Sequence, residues 1–308
     1  MGDYISRIES IKISYPDLKD ENFVPAKSGT HHAVFISKNF VIRFRDDNPS
    51  LLQREAKLLE TISDTLVPKV LWKNFEEKVG VIVENRLHGE NISLVWKSLS
   101  VQERSKLVSG LVEFIGKLRN IVGNRVSSVS NGKEYSNFID LLLDGVQEKI
   151  SKISEFDKAR AVIAEIEQTI SGQDMIGDLF NGSKISLIHG DLINHNLLSD
   201  GGKLTGVLDW ELACYGDQDF DLFRLFYYRE CAMAYHGQGV DDTYESEYMD
   251  ILIEEIYKSG LIGDDNIFQK KYAFVRAIFF VNALYWDVSS NKAEENLAST
   301  INLWFKGK

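Results

Sequence analysis

Two cysteines, Cys214 and Cys231, are all the thiol that 308 residues carry. Two do not make a disulfide framework, and their spacing is not that of a zinc site, so a reducing, cytoplasmic setting is expected. A long apolar run is lacking too. The most hydrophobic stretch, Tyr272 to Trp286, is too short to cross a bilayer and contains Arg276. It predicts a helix buried on most sides. No basic start followed by an apolar run opens the chain, so no signal peptide is expected. Met1-Gly2-Asp3-Tyr4-Ile5-Ser6 meets the short M-G-x-x-x-S/T acylation pattern. No polybasic patch accompanies it, and a single acyl chain anchors only marginally, so no membrane partner is expected. Internal repeats and low-complexity segments are absent.

Positive charge is scarce as well. Against 46 Asp and Glu stand 35 Lys and Arg, a formal net charge of −11. That sign disfavours nucleic acid as a partner. The shortage is local: residues 1–87 hold 13 Lys/Arg and 13 Asp/Glu, whereas residues 209–255 hold 13 acids and only Arg224 and Arg229. The imbalance of the whole protein lies in that one segment, which favours a cationic small molecule as ligand.

What is present centres on Leu187-Ile188-His189-Gly190-Asp191-Leu192-Ile193-Asn194-His195-Asn196-Leu197-Leu198. Short apolar runs enter and leave it, which predicts two brief strands around a polar loop. The turn Asp200-Gly201-Gly202-Lys203 leads to a further strand ending at Asp209-Trp210. Moving a phosphoryl group from a nucleotide to a hydroxyl needs a carboxylate that orients the hydroxyl and accepts its proton. It also needs a carboxamide oxygen and a second carboxylate that hold Mg²⁺ against the phosphates. Asp191, Asn196 and Asp209 suit those roles in that order. His189 and His195 are read as props for the backbone, since no metal-type cluster sits near them.

The pattern H-G-D-x-x-x-x-N followed by an apolar pair and Asp-Trp resembles that of the aminoglycoside phosphotransferases, small-molecule kinases with a protein-kinase-like fold. The stretch from His189 to Tyr228 looks closest to the hygromycin phosphotransferase branch, and the Asp–Asn spacing is that of the protein-kinase catalytic loop. The resemblance implies an α+β, two-lobed fold. A small antiparallel-sheet lobe, residues 1–87, would bind nucleotide, and a larger, mainly helical lobe, residues 88–308, would hold the catalytic and acceptor sites. It further implies ATP or GTP as phosphate donor, Mg²⁺, a cationic small-molecule acceptor such as an aminoglycoside, and a protein acting as a monomer. Two alternatives stand beside it. One is a metabolic kinase for choline, ethanolamine, an aminosugar or a macrolide; the other is a nucleotide-binding pseudokinase.

Along the chain, residues 3–13 form a short amphipathic helix with Ile5, Ile8 and Ile11 on one stripe, stopped by Pro16. Three strands follow between Asn22 and Arg45. The turn Ser28-Gly29-Thr30 is where the resemblance puts the donor phosphates, though a hairpin turn alone explains it as well. Alternation sets Val41, Arg43 and Arg45 on one face of the third strand and Phe40, Ile42 and Phe44 on the other. There the resemblance implies a phosphate-contacting cation: Arg43, with Arg45 as competitor. Arg suits the role through its permanent charge and planar fork. A helix from Ser50, read as its cap, to Asp64 carries Glu55, which resembles the glutamate that pairs with that cation. A second hairpin around Glu76-Glu77-Lys78 ends in Glu84-Asn85-Arg86-Leu87-His88-Gly89. This is the expected hinge, with Glu84 and Arg86 at the nucleotide.

Ser100-Val101-Gln102-Glu103 is a capping box opening a helix to about Asn120. Residues 123–132 read as a polar loop, 135–171 as one or two helices broken near Ser154, and 172–184 as a loop. Further helices are expected to Tyr228 and over 243–258, 265–287 and 292–305. In the acidic segment Glu211 and Glu230 are the candidate acceptor contacts. Asp219 and Asp221 could instead cap a helix and tie down the catalytic loop.

Overall fold

The computed structural model describes residues 2–26, 33–76, 78–235, 242–290 and 293–306. Helix α1 (Gly2–Ser14) ends just before Pro16, as the sequence predicts. Ile8 and Ile11 are buried while Ile5 is mostly exposed, so the helix offers a narrower stripe than its three isoleucines suggest. Strands β1 (Val24–Pro25), β2 (Ala33–Ile36) and β3 (Phe40–Arg45), helix α2 (Pro49–Leu59), and strands β4 (Val70–Asn74) and β5 (Gly80–Asn85) follow. The five strands form one antiparallel sheet in the order β1-β2-β3-β5-β4.

Alternation decides the two faces of this sheet. Ile42 and Phe44 of β3, with Phe35, Val81 and Val83, pack against Ile8 and Ile11. Val41, Arg43 and Arg45 lie opposite Glu84, Ile82 and Gly80 of β5, and Ile82 packs on Leu52 and Ala56 of α2. Both faces are thus covered, and the arginine face is the one turned inward. Helix α2 is capped by Asn48, whose side chain accepts from the Leu51 N–H, and not by Ser50. Ser50 Oγ donates to that same Asn48 oxygen, and Pro49 takes the first helical turn, where its missing N–H is harmless.

The second part of the chain is mainly helical. Strand β6 (Glu90–Asn91), helices α3 (Ile92–Val95) and α4 (Val101–Leu118), strands β7 (Val126–Ser128) and β8 (Glu134–Tyr135), and helices α5 (Phe138–Leu143), α6 (Val146–Ile153), α7 (Arg160–Ser171) and α8 (Gln173–Phe180) come first. Strands β9 (Ile185–Ile188), β10 (Leu197–Asp200), β11 (Lys203–Val207) and β12 (Cys214–Asp217) then lead to helices α9 (Phe220–Tyr235), α10 (Asp242–Ser259), α11 (Asp265–Ser289) and α12 (Ala293–Lys306). The capping box forms as read: the Ser100 hydroxyl accepts from the Glu103 N–H, and Glu103 accepts from the Ser100 N–H. Helix α11 is the buried axis of this lobe, packed against α6, α7, α8, α9 and α12.

Four expectations need correcting. The polar loop at 123–132 contains β7, whose pairing with β12 supplies the order that its serines do not signal. The loop at 172–184 contains α8. Between 135 and 171 there are three helices, because Gly145 at φ +75° adds a break before α6. Strand β12 was missed because Cys-Tyr-Gly-Asp has no alternation of its own; it forms by pairing between β7 and β9.

Candidate active site

Two small sheets present the catalytic loop. One is β8-β7-β12-β9 and the other β11-β10-β6. The chain leaves β9 at Ile188 and turns at Gly190, whose φ is +84°. A Cβ there would lie 2.5 Å from the Leu212 carbonyl oxygen, so glycine is required. Asp221, at the start of α9, accepts from the backbone N–H of His189 at 3.0 Å and of Gly190 at 2.8 Å. Burial raises the Asp221 carboxyl to about 6 against the pull of those two donors. This is the tie-down considered for Asp221. His189 is fully buried, and that burial lowers its pKa to about 4, so the ring is neutral. Its Nδ1 accepts from the Asp191 N–H at 3.2 Å, which leaves Nε2 to donate to the Leu208 carbonyl at 3.0 Å. It props the loop.

Asp191 and Asn196 meet: the Asn196 amide nitrogen donates to the Asp191 backbone carbonyl and to Oδ2, both at 3.0 Å. That commits the nitrogen and leaves the carboxamide oxygen for a cation. Asp209 follows β11 in the left-handed region, at φ +66°, a conformation Asp tolerates better than most residues. Its neighbours fix it. The Leu208 N–H donates to the Asn196 carbonyl at 2.8 Å, and the Trp210 N–H to Glu55 Oε1 at 3.3 Å.

Arg43 and Glu55 form an end-on bidentate pair, both bonds 2.8 Å. Glu84 Oε1 lies 3.5 Å from the same guanidinium. Burial opposes the Arg43 charge, but the two carboxylates more than offset it and hold its pKa above the ordinary value. Glu84 is shifted upward, chiefly by burial and further by Glu55, with Arg43 pulling the other way.

A cavity of about 430 Å³ opens between the lobes, lined by Val34, Ile36, Val41, Arg43, Glu84, Arg86, Asn196, Leu198, Leu208, Asp209 and Glu211. Asn196 and Asp209 therefore line the same cavity as Arg43 of β3. Burial raises Asp209 to about 6, reinforced by Glu211 and Glu55. A cluster of carboxylates that repel one another is a site that gains from a cation. Two protein oxygens fit Mg²⁺, which completes its shell with water and phosphate. No group of three His, Cys, Asp or Glu residues suited to a metal occurs among the described residues.

Several sequence assignments change. Glu84 and Asn85 end β5 and so precede the hinge. Arg86 donates to the Ser37 carbonyl at 2.8 Å while lining the cavity. Arg45, the competitor for the phosphate contact, pairs with Asp47 at 2.9 Å and with Glu211 at 2.7 Å. Glu211 is thereby held at the lobe junction, on the cavity wall. Glu230 is turned onto α11, where Arg276, buried against Phe280 and Trp304, and the Tyr272 hydroxyl claim its carboxylate. Ser28, Gly29 and Thr30 lie outside the described residues.

One contact was not foreseen: Arg224 of α9 donates to Asp191 Oδ1 at 3.1 Å. The signal was in the charge count, since Arg224 is one of two cations in the acidic segment. Four more acids of that segment are also engaged. Asp217 meets Lys271 at 2.7 Å, Asp219 meets Arg119 at 2.8 Å, Glu247 meets Arg104 at 2.7 Å and Asp250 meets Arg229 at 2.6 Å.

The chain matches the model of the phosphotransferase enzyme family over residues 22–248, and it belongs to that family. Within it, a stretch of 43 residues is 37% identical to hygromycin-B 4-O-kinase of Escherichia coli, which is 14% of this chain and 13% of that enzyme's length. Among solved structures it is similar to aminoglycoside phosphotransferase APH(4)-Ia, with TM-score 0.65 and 15% identity over 98% of this chain and 99% of that one. It is also similar to aminoglycoside phosphotransferase APH(2'')-Ib bound to ADP, with TM-score 0.63 and 18% identity over 96% of this chain and 95% of that one. At such identities the likeness is one of fold, and it bears out the two-lobed, kinase-like α+β architecture.

The Asp221 tie-down generates a stability prediction. Asp221→Ala strands two buried N–H groups, at roughly 1–3 kcal/mol each. Denaturant unfolding should show a loss of several kcal/mol, and a loss under about 1 kcal/mol would mean that the loop holds itself.

Proposed function

We propose that the chain transfers the terminal phosphoryl group of ATP or GTP to a hydroxyl of a cationic small molecule, an aminoglycoside in the first instance. The observation that carries the reading is that Arg43, Asn196 and Asp209 line one cavity between the lobes, with Asp191 hydrogen-bonded to Asn196 and Glu55 to Arg43 just behind them. Solved relatives of the same fold support the ligand classes. One is a ternary complex of APH(4)-Ia with AMP-PNP and hygromycin B, and another holds gentamicin in APH(2'')-IIa. A kinase that works on a free small molecule needs neither nucleic acid nor membrane, and one chain supplies every group used here.

Asp191 orients the acceptor hydroxyl and takes its proton as the new P–O bond forms and the bond to the leaving diphosphate breaks. Arg43 is oriented by Glu55 through both terminal nitrogens and brings its permanent charge to the phosphate oxygens. Asn196 and Asp209 would hold Mg²⁺, which neutralises charge on the phosphates. Asp191→Asn should lower kcat by roughly 10²–10⁴ while calorimetric nucleotide affinity is kept. Near-normal turnover would remove Asp191 from this role.

Asp209 gives a pH signature. Its raised carboxyl pKa, about 6, means that below this pH a cation must displace a proton. Affinity for the Mg²⁺–nucleotide should therefore fall by up to about tenfold per pH unit below that value and level off above it. Calorimetry in buffers of different ionisation heat reads the released proton, and a pH-flat affinity would exclude Asp209 as ligand.

The pairing of Glu211, Asp217, Asp219, Glu230, Glu247 and Asp250 with cations favours a second reading, a metabolic kinase whose acceptor is chosen by hydroxyl geometry. Salt separates the two. A polycationic acceptor drawn in by exposed charge should lose kcat/KM steeply as salt rises, since screening acts beyond about 8 Å at physiological strength. A neutral acceptor turned over better than any aminoglycoside, without salt dependence, would end the aminoglycoside reading.

A further inference from the structure

Glu84 carries more charge than its surroundings answer. On the inward face of β3 and β5, Arg45 is taken by Asp47 and Glu211, which leaves Arg43 between two carboxylates, Glu84 of β5 and Glu55 of α2. Glu55 takes both terminal nitrogens of Arg43 in short bonds and the Trp210 N–H besides. Glu84 is left with a 3.5 Å approach to the same guanidinium, and its Oε1 has no hydrogen bond although Glu84 is only 3% exposed. The nearest other guanidinium on the cavity wall, Arg86, spends a terminal nitrogen on the Ser37 carbonyl. A buried carboxylate oxygen without a donor is costly. It is tolerated where a ligand supplies the donor.

The cavity says what kind of ligand. Glu84 stands on its wall together with Val34, Ile36 and Val41 from the sheet and Leu198 and Leu208 from the other lobe. Apolar residues from both lobes suit a flat ring, and a buried acceptor among them suits an N–H on that ring's edge. We infer that Glu84 accepts a hydrogen bond from an exocyclic amino group of the donor purine and so selects the nucleotide. The inference rests on the nucleotide-dependent phosphotransfer proposed above. Both the 6-amino group of adenine and the 2-amino group of guanine offer this chemistry.

Two nucleotide pairs separate those sources: ATP against purine riboside triphosphate, which lacks the 6-amino group, and GTP against ITP, which lacks the 2-amino group. Kd is measured by calorimetry with Mg²⁺ and no acceptor, so that catalysis does not enter. In the wild type one pair should differ by roughly ten- to hundredfold, the worth of a hydrogen bond to a charged group. In Glu84→Met that difference should shrink to about twofold. A general weakening through Arg43 cancels, because the comparison is within one variant. Glu84→Gln keeps the shape and a neutral acceptor, so it should retain part of the difference, and it serves if the methionine variant does not fold. A wild type that binds all four nucleotides alike overturns the inference alone. So does full discrimination persisting in Glu84→Met, or in Glu84→Gln where that is the variant used, because backbone groups would then be reading the base. If the wild type binds none of the four, the phosphotransferase reading falls and takes this one with it.

Discussion

The buried pair between Arg43 and Glu55 is the interaction from which the site is built. Glu55 is fully buried in α2, and its Oε1 also accepts from the backbone of Trp210. A single carboxylate therefore ties the sheet of the first lobe to the residue that follows Asp209 in the second. Removing one partner would leave an uncompensated buried charge, a loss of roughly 3–5 kcal/mol. It would also release the left-handed backbone at Asp209. The choice of Arg follows from the geometry. A planar fork meets a carboxylate end-on with two parallel bonds, which a lysine ammonium cannot do.

Most of this was legible as pattern. Alternation along Phe40 to Arg45 set Arg43 on the inner face, and the Asp191–Asn196 spacing announced a loop that turns back on itself. The capping box at Ser100 and the stop at Pro16 were local rules locally obeyed. What stayed illegible depended on partners distant in sequence. Strand β12 has no strand-like alternation and exists because β7 and β9 flank it. Gly145 and Gly190 both adopt positive φ, but only the packing of Leu212 shows that Gly190 has no alternative.

Charge counting had a sharper limit. Thirteen acids against two arginines in residues 209–255 describe a real asymmetry in sequence. In space, several of these acids are met by cations from outside the segment. Lys271 and Arg276 come from α11, Arg104 and Arg119 from the region of α4, and Arg45 from the sheet. Cations far along the chain are invisible to a window count. Several of these pairs are well buried, where they serve to fix the arrangement of helices more than to attract solutes.

The same accounting changes how Asp191 must work. In the unliganded protein neither of its oxygens is idle: Oδ1 accepts from Arg224 and Oδ2 from Asn196. Two donors fix the orientation of the carboxylate, which keeps it ready to hold a hydroxyl. That suits phosphoryl transfer, where the transition state is loose and the hydroxyl gives up its proton late, so positioning counts for more than basicity. Arg224 is itself held over the ring of Phe279, 5.4 Å from its centre. The orientation of the Asp191 carboxylate is therefore set from α9 and α11 as well as from its own loop.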